Sequence, residues 1–171
     1  LYDECWKLSQ GLIQRSQNNE QTTEVAIDIH FKEIQRNIIE QIDLARFVIW
    51  VAVAWFTDPV LFKKLVEKKN QGINVQLIIL NDPINKSSGL NYEEEFETFI
   101  IKKSGVYENL MHNKFCIIDL KTVIHGSYNW TKKAKFNDET IEIVKSSEVA
   151  EKFSENFIQL KKIHYVESLH R

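Results

Sequence analysis

The stretch that most constrains this chain is FVIWVAVAWF, residues 47–56, ten apolar residues in succession followed at once by Thr57, Asp58 and Pro59. A helix that crosses a membrane needs about 20 such residues, so this run is too short to be one. Its portion from Val48 to Trp55 is rich in β-branched side chains and lacks polar alternation, which fits a strand covered on both faces. Asp58 is placed to cap a helix and Pro59 to open it. Leu61, Phe62, Leu65 and Val66 then keep helical spacing until Gly72, and Ile73 to Leu80 forms a second continuous apolar run. Strand, helix and strand in that order predict an α/β fold: a mixed, largely parallel β-sheet flanked by helices on both faces.

The remaining periodicities extend this plan. Phe31, Ile34, Ile38 and Ile42 predict an amphipathic helix ahead of the first run. Residues 81–90, NDPINKSSGL, read as a polar loop at the end of the second strand, where open α/β sheets usually place ligands. Asn91 and Glu94 have capping-box spacing, and Phe96, Phe99 and Ile100 predict a helix that Gly105 ends. Glu139 to Lys145 reads as a further strand, and Val149, Phe153, Phe157 and Leu160 line a final helix. Residues 1–23, with the polar tract SQGLIQRSQNNEQTT, suit a linker to a further recognition domain or a weak helix rather than core; residues 24–163 form the expected domain and 164–171 a tail.

A chain of 171 residues suits one domain, burying about 70% of its unfolded surface. Apolar and charged fractions of 43% and 27% are those of an ordinary soluble globule. Two cysteines, Cys5 and Cys116, make a disulfide framework improbable and favour a reducing, cytoplasmic setting, and no basic-then-apolar N-terminal stretch reads as a signal peptide. The net charge of -2 argues against an extended nucleic-acid surface and leaves room for a local basic cluster.

Such a cluster adjoins the most chemically loaded segment, MHNKFCIIDLKTVIHGSYNWTKKAKFNDE, residues 111–139. His112 and Lys114 are two apart, so on a strand both leave one face, while Phe115 and Ile117 leave the other. Ser127 and Asn129 repeat that spacing after a second apolar strand, Thr122 to His125, which ends at Gly126. Two strands joined around Asp119, Leu120 and Lys121 bring four polar groups to one edge, a set suited to a phosphate. Lys132, Lys133 and Lys135, with Tyr128, Trp130 and Phe136 interleaved, are placed to meet phosphates and bases beside it.

Read together, His112, Lys114 and Asp119 fit H-x-K-x4-D, followed by Gly126-Ser127-x-Asn129 and Asn137-x-Glu139. This pattern resembles the phospholipase D superfamily in its small bacterial nuclease form, and the order of elements from about Val25 to Leu160 is similar as well. The family often has Gly after the motif aspartate, where this chain has Leu120. The resemblance implies a phospholipase D-like α/β/α sandwich and a phosphodiesterase needing neither metal nor other cofactor. His112 is then the nucleophile that forms a phosphohistidine, and Glu139 accepts a hydrogen bond from its other ring nitrogen. Lys114, Ser127 and Asn129 stabilise the phosphoryl oxygens, with Asp119 and Asn137 behind them. Since the chain carries one intact motif, the resemblance also implies a homodimer whose two motifs share one cleft. Nucleic acid is the favoured substrate, most simply for an endonuclease. The alternatives are a phospholipid ester, which requires residues 47–56 to be exposed, and an idle phosphate-binding scaffold.

Other candidates carry less. His30-Phe31-Lys32 repeats H-x-K, but Asn37 stands where an aspartate is needed and no G-S-x-N follows. His112 and Cys116 are only two ligands and do not make a zinc site. Glu93, Glu94 and Glu95 are explained by a negatively charged first helical turn. His125 has no place in the motif, and His164 and His170 read as tail residues.

Overall fold

The computed structural model describes residues 25–106 and 108–169; the N-terminal polar segment, with Cys5, and His170 lie outside them. Seven strands form a single sheet: β1 (Ala26–His30), β2 (Val48–Val53), β3 (Asn74–Leu80), β4 (Glu97–Ile101), β5 (Lys114–Ile118), β6 (Thr122–Gly126) and β7 (Ile141–Lys145), in the spatial order β1-β7-β6-β5-β2-β3-β4. The helices are α1 (Ile34–Asp43), α2 (Pro59–Asn70), the short α3 (Pro83–Lys86) and α4 (Tyr92–Glu95), and the long α5 (Ser147–Leu169). Among the described residues no helix is long and apolar enough to cross a membrane.

The layers are those of an α/β/α sandwich. Helices α1 and α2 cover one face, where Ile34, Ile38, Ile42, Leu61 and Leu65 pack on Ile49, Val51, Val53 and Leu77. On the other face α5 brings Ala150, Phe157 and Leu160 against Ala52, Ile78, Phe115, Ile117 and Val123. Burial on both sides explains the unbroken apolar run of β2. The capping expectation at α2 holds: Asp58, 1% exposed, accepts from the N–H groups of Val60 and Leu61 with Pro59 in the first turn.

Three expectations are corrected. The sheet is mixed but not largely parallel: β2-β3 and β3-β4 are parallel, whereas β1-β7, β7-β6, β6-β5 and β5-β2 are antiparallel. Parallel neighbours need a crossover, and only the β2-to-β4 half has crossovers that return to an adjacent strand. Residues 96–101 are not helical, because the chain leaves α4 at an extended Phe96 (φ -135°) and β4 buries Phe99 and Ile101. Phe31 lies outside α1, 68% exposed, since the chain passes through a left-handed Glu33 (φ 51°) before the helix begins. The C-terminal end also differs, in that α5 runs past residue 163 and His164 packs edge-on against Phe99.

The β5-β6 hairpin closes through Asp119 (φ 52°) and Leu120 (φ 54°), with the Lys121 N–H donating to the Ile118 carbonyl at 3.1 Å. Both central residues have positive φ, which favours Gly at the second position. Leu120, 45% exposed, carries that conformation with a branched side chain. Leu120→Gly is therefore expected to stabilise the fold by about 1 kcal/mol in urea unfolding, through relief of the left-handed strain.

Candidate active site

The site forms where β2 and β6 end and β5 and β7 begin. Lys114 opens β5 opposite Val53, and Gly126 closes β6 opposite Ile141. That register brings His112, Lys114, Ser127, Asn129 and Glu139 to one edge of the sheet, together with Trp55 beyond β2. The junction at Gly126 is tight: a Cβ there would lie 2.1 Å from the Thr140 carbonyl oxygen, so only glycine lets β6 approach β7 this closely. The approach places the Thr140 N–H 3.1 Å from Ser127 Oγ, and the Ser127 hydroxyl in turn donates to Glu139 Oε2. Asn137 Nδ2 donates to the other Glu139 oxygen at 3.2 Å.

Lys114 Nζ lies 3.0 Å from His112 Nε2 and 3.0 Å from the His112 carbonyl. An ammonium has only donors, so Nε2 accepts and the ring is neutral with its proton on Nδ1. Desolvation and the Lys114 charge together hold His112 below the ordinary histidine pKa. Burial also lowers Lys114, partly offset by the charge of Glu139. If turnover needs one His112 neutral to attack and the His112 of a second copy protonated to donate, kcat/KM against pH is expected to be bell-shaped, with both limbs belonging to the histidine pair and not to Lys114. A pH–rate profile checks both.

Several sequence-based roles change. Within the chain Glu139 is held by Ser127 and Asn137 and makes no hydrogen bond to the His112 ring. Asp119 is not at the site: it lies seven residues further along the strand, roughly 20 Å away at a strand's rise per residue. Its carboxylate accepts from the N–H groups of Arg46, Phe47 and Val48 at 2.8 to 3.0 Å, pinning the start of β2 to the hairpin. Trp130 cannot stack on a base, because it is 3% exposed, packs edge-on against Phe56 at 5.2 Å, and accepts from Thr57 and Asp58 N–H through its carbonyl. Lys132 and Lys133 line a cavity of about 460 Å³ with Trp55, Thr57, Ser87, Ser88, Asn129 and Glu139. Lys135 instead lies over the Phe136 ring, beside a separate depression against α1. His125 stacks on Phe153 and faces Glu142 at 3.5 Å, and His30 ends the edge strand β1.

Sequence reasoning missed Asn85 and Trp55. Asn85, 4% exposed, donates to the carbonyls of Ala54 (2.7 Å) and Leu80 (2.8 Å) and accepts from the Phe56 N–H (2.8 Å), tying the ends of β2 and β3 beneath the cavity. Only its place in the 81–90 loop, already marked as a ligand-side segment, signalled it. Asn85→Ala leaves three buried backbone groups without this partner and is expected to cost about 2–4 kcal/mol in urea unfolding. Among the described residues no three His, Cys, Asp or Glu side chains gather as a metal site.

A family model described as "Cardiolipin synthase, PLD-like domain" matches residues 38–161. A phospholipase D of Rickettsia bellii is 29% identical over 128 residues, covering 72% of this chain and 62% of the relative. A mitochondrial cardiolipin hydrolase of Chlamydomonas reinhardtii is 26% identical over 111 residues, covering 64% of this chain and 49% of the relative. The chain thus spans less than two thirds of these relatives. Among solved structures, NucT from Helicobacter pylori superposes with a TM-score of 0.73 at 23% identity, over 81% of this chain and 97% of that one. Nuc from Salmonella typhimurium, a phospholipase D family member, gives 0.68 at 23% identity, over 80% and 93%. The chain belongs to the phospholipase D-like domain family.

Proposed function

We propose that the chain is a metal-independent phosphodiesterase, most simply an endonuclease acting on DNA or RNA through a phosphohistidine in a homodimeric active site. The observation that carries this reading is the neutral His112 with Lys114 at 3.0 Å from Nε2, set at the same sheet edge as Ser127, Asn129 and a lysine-lined cavity. A phosphodiester that draws the Lys114 ammonium onto its non-bridging oxygens frees the Nε2 lone pair to attack phosphorus. The N–P bond forms as the bond to the leaving oxygen breaks, and that oxygen takes a proton from His112 of a second copy. Water then attacks the phosphohistidine, giving its proton to the now neutral His112 of the second copy, as the N–P bond breaks and the electron pair returns to Nε2. Lys114 and the Asn129 amide stabilise the charge that develops, while Glu139 and Asn137 orient Ser127.

Substrate choice follows from the same surfaces. Lys132 and Lys133 supply positive charge at the cavity, and Ser87 and Ser88 add hydroxyls. The β2 run that a lipid-facing enzyme would need exposed is buried, with Val51, Ala52, Val53, Ala54 and Phe56 all at 0%. Phospholipid hydrolysis is the second reading, favoured by the names of the curated relatives. Assays with EDTA on single-stranded DNA, duplex DNA, RNA and phospholipid vesicles separate the readings. Nucleic-acid cleavage in chelator is the expected result; release of a lipid headgroup alone favours the second reading, and no turnover on any substrate favours the scaffold.

A further inference from the structure

Three buried side-chain polar atoms among the described residues have no hydrogen-bond partner: Trp55 Nε1, Asn129 Oδ1 and the Tyr128 hydroxyl. Trp55 and Asn129 both line the cavity with Lys132 and Lys133, and the Trp55 ring also meets that of His112. Folded chains seldom leave a buried donor unpaired, and where one faces a cavity a ligand can supply the acceptor. Trp50 offers the contrast, since its ring stacks on Phe157 and its Nε1 donates to Asn74 Oδ1 at 3.3 Å.

The Trp55 backbone is held on both sides. The Ala54 N–H donates to the Asn113 carbonyl at 2.9 Å, the Phe56 N–H to Asn85 Oδ1 at 2.8 Å, and Phe56 bridges to Trp130. The indole stands edge-on to the His112 ring, with centroids 5.3 Å apart and planes at 76°. The backbone under Trp55 is therefore fixed, while Nε1 is covered in the unliganded chain, so a ligand meets it once the ring turns about its side-chain torsions. A phosphodiester bound at His112 presents two non-bridging oxygens. Lys114 serves one, whereas the Ser127 proton is committed to Glu139. The other oxygen is left to the Asn129 amide and has lone pairs for a second donor, and an indole N–H is a neutral, donor-only group that neither attacks nor protonates a substrate.

We propose that Trp55 is a substrate-binding residue whose Nε1–H donates to a non-bridging oxygen of the phosphoryl group attacked by His112. The proposal rests on the phosphodiesterase reading. It predicts that affinity for the phosphoryl group depends on the indole nitrogen and not only on the ring.

The test titrates the 15N-labelled full chain with inorganic phosphate and follows the Trp55 indole N–H, assigned by its absence in Trp55→Phe, together with the His112 ring. Both resonances are expected to shift with one dissociation constant. Trp55→Phe is expected to weaken phosphate binding about 10-fold and to lower kcat/KM on the cleaved substrate by a similar factor, while Trp50→Phe changes neither. A His112 shift without any Trp55 shift overturns the proposal and leaves the phosphodiesterase reading standing. If neither resonance moves, both fall. Should Trp55→Phe fail to fold, the Trp55 indole is assigned by elimination from Trp6→Phe, Trp50→Phe and Trp130→Phe, and the wild-type titration still decides.

Discussion

Turnover by purified His112→Ala should fall by on the order of 10⁴-fold or more, because the substitution removes the atom that forms the covalent intermediate and not merely a binding contact. The fold should survive. His112 is exposed, lies ahead of β5, and its ring makes a hydrogen bond only with Lys114, so the thermal midpoint should shift by no more than a few degrees. Quenching wild-type reactions on labelled substrate should trap an acid-labile phosphorylated protein whose label maps to His112, and the variant should trap none. Near wild-type cleavage by His112→Ala would eliminate this nucleophile.

The second large effect concerns assembly. In-line displacement places attacking and leaving groups on opposite sides of phosphorus, so one imidazole cannot readily do both jobs, and each chain brings one motif histidine to the site. The working unit should therefore be a two-fold dimer in which two copies of His112 face one phosphate. Mixing wild-type chains with His112→Ala chains, with full and random exchange, should lower activity as the square of the wild-type fraction. A linear fall with exchange confirmed independently would show that each chain completes catalysis alone.

Much of this architecture was legible because its local signals agreed. Residues 47–56 announced β2, Asp58 and Pro59 announced α2, and the two-residue spacings of His112-Lys114 and Ser127-Asn129 put their side chains at one edge. Misreadings arose where local pattern met a tertiary requirement. Phe96, Phe99 and Ile100 suit a helical stripe, but β3 offers them a parallel partner, and Ile78 pairs with Phe99. The interleaved aromatics after Asn129 looked like stacking platforms, yet Trp130 is consumed by core packing. Asp119 belongs to the motif by spacing, while its work is done on the backbone of Arg46, Phe47 and Val48, contacts 71 to 73 residues away that no local pattern encodes. Asn85 was hidden for the same reason, since one asparagine in a polar loop carries no mark of the three buried backbone groups it serves.

The absent side chain at Gly126 has a consequence for how this protein should fail under heat. Ser127 takes the Thr140 N–H through its hydroxyl and donates its own N–H to the Thr140 carbonyl at 3.0 Å, so the catalytic edge is stitched into the β6-β7 ladder. Those bonds are lost only when the two strands part, and parting them detaches β1 and β7, with the lead into the long α5 that covers one face, from the other five strands. Inactivation and global unfolding should then be a single event: activity should persist almost to the melting temperature and return on cooling wherever the sheet reforms.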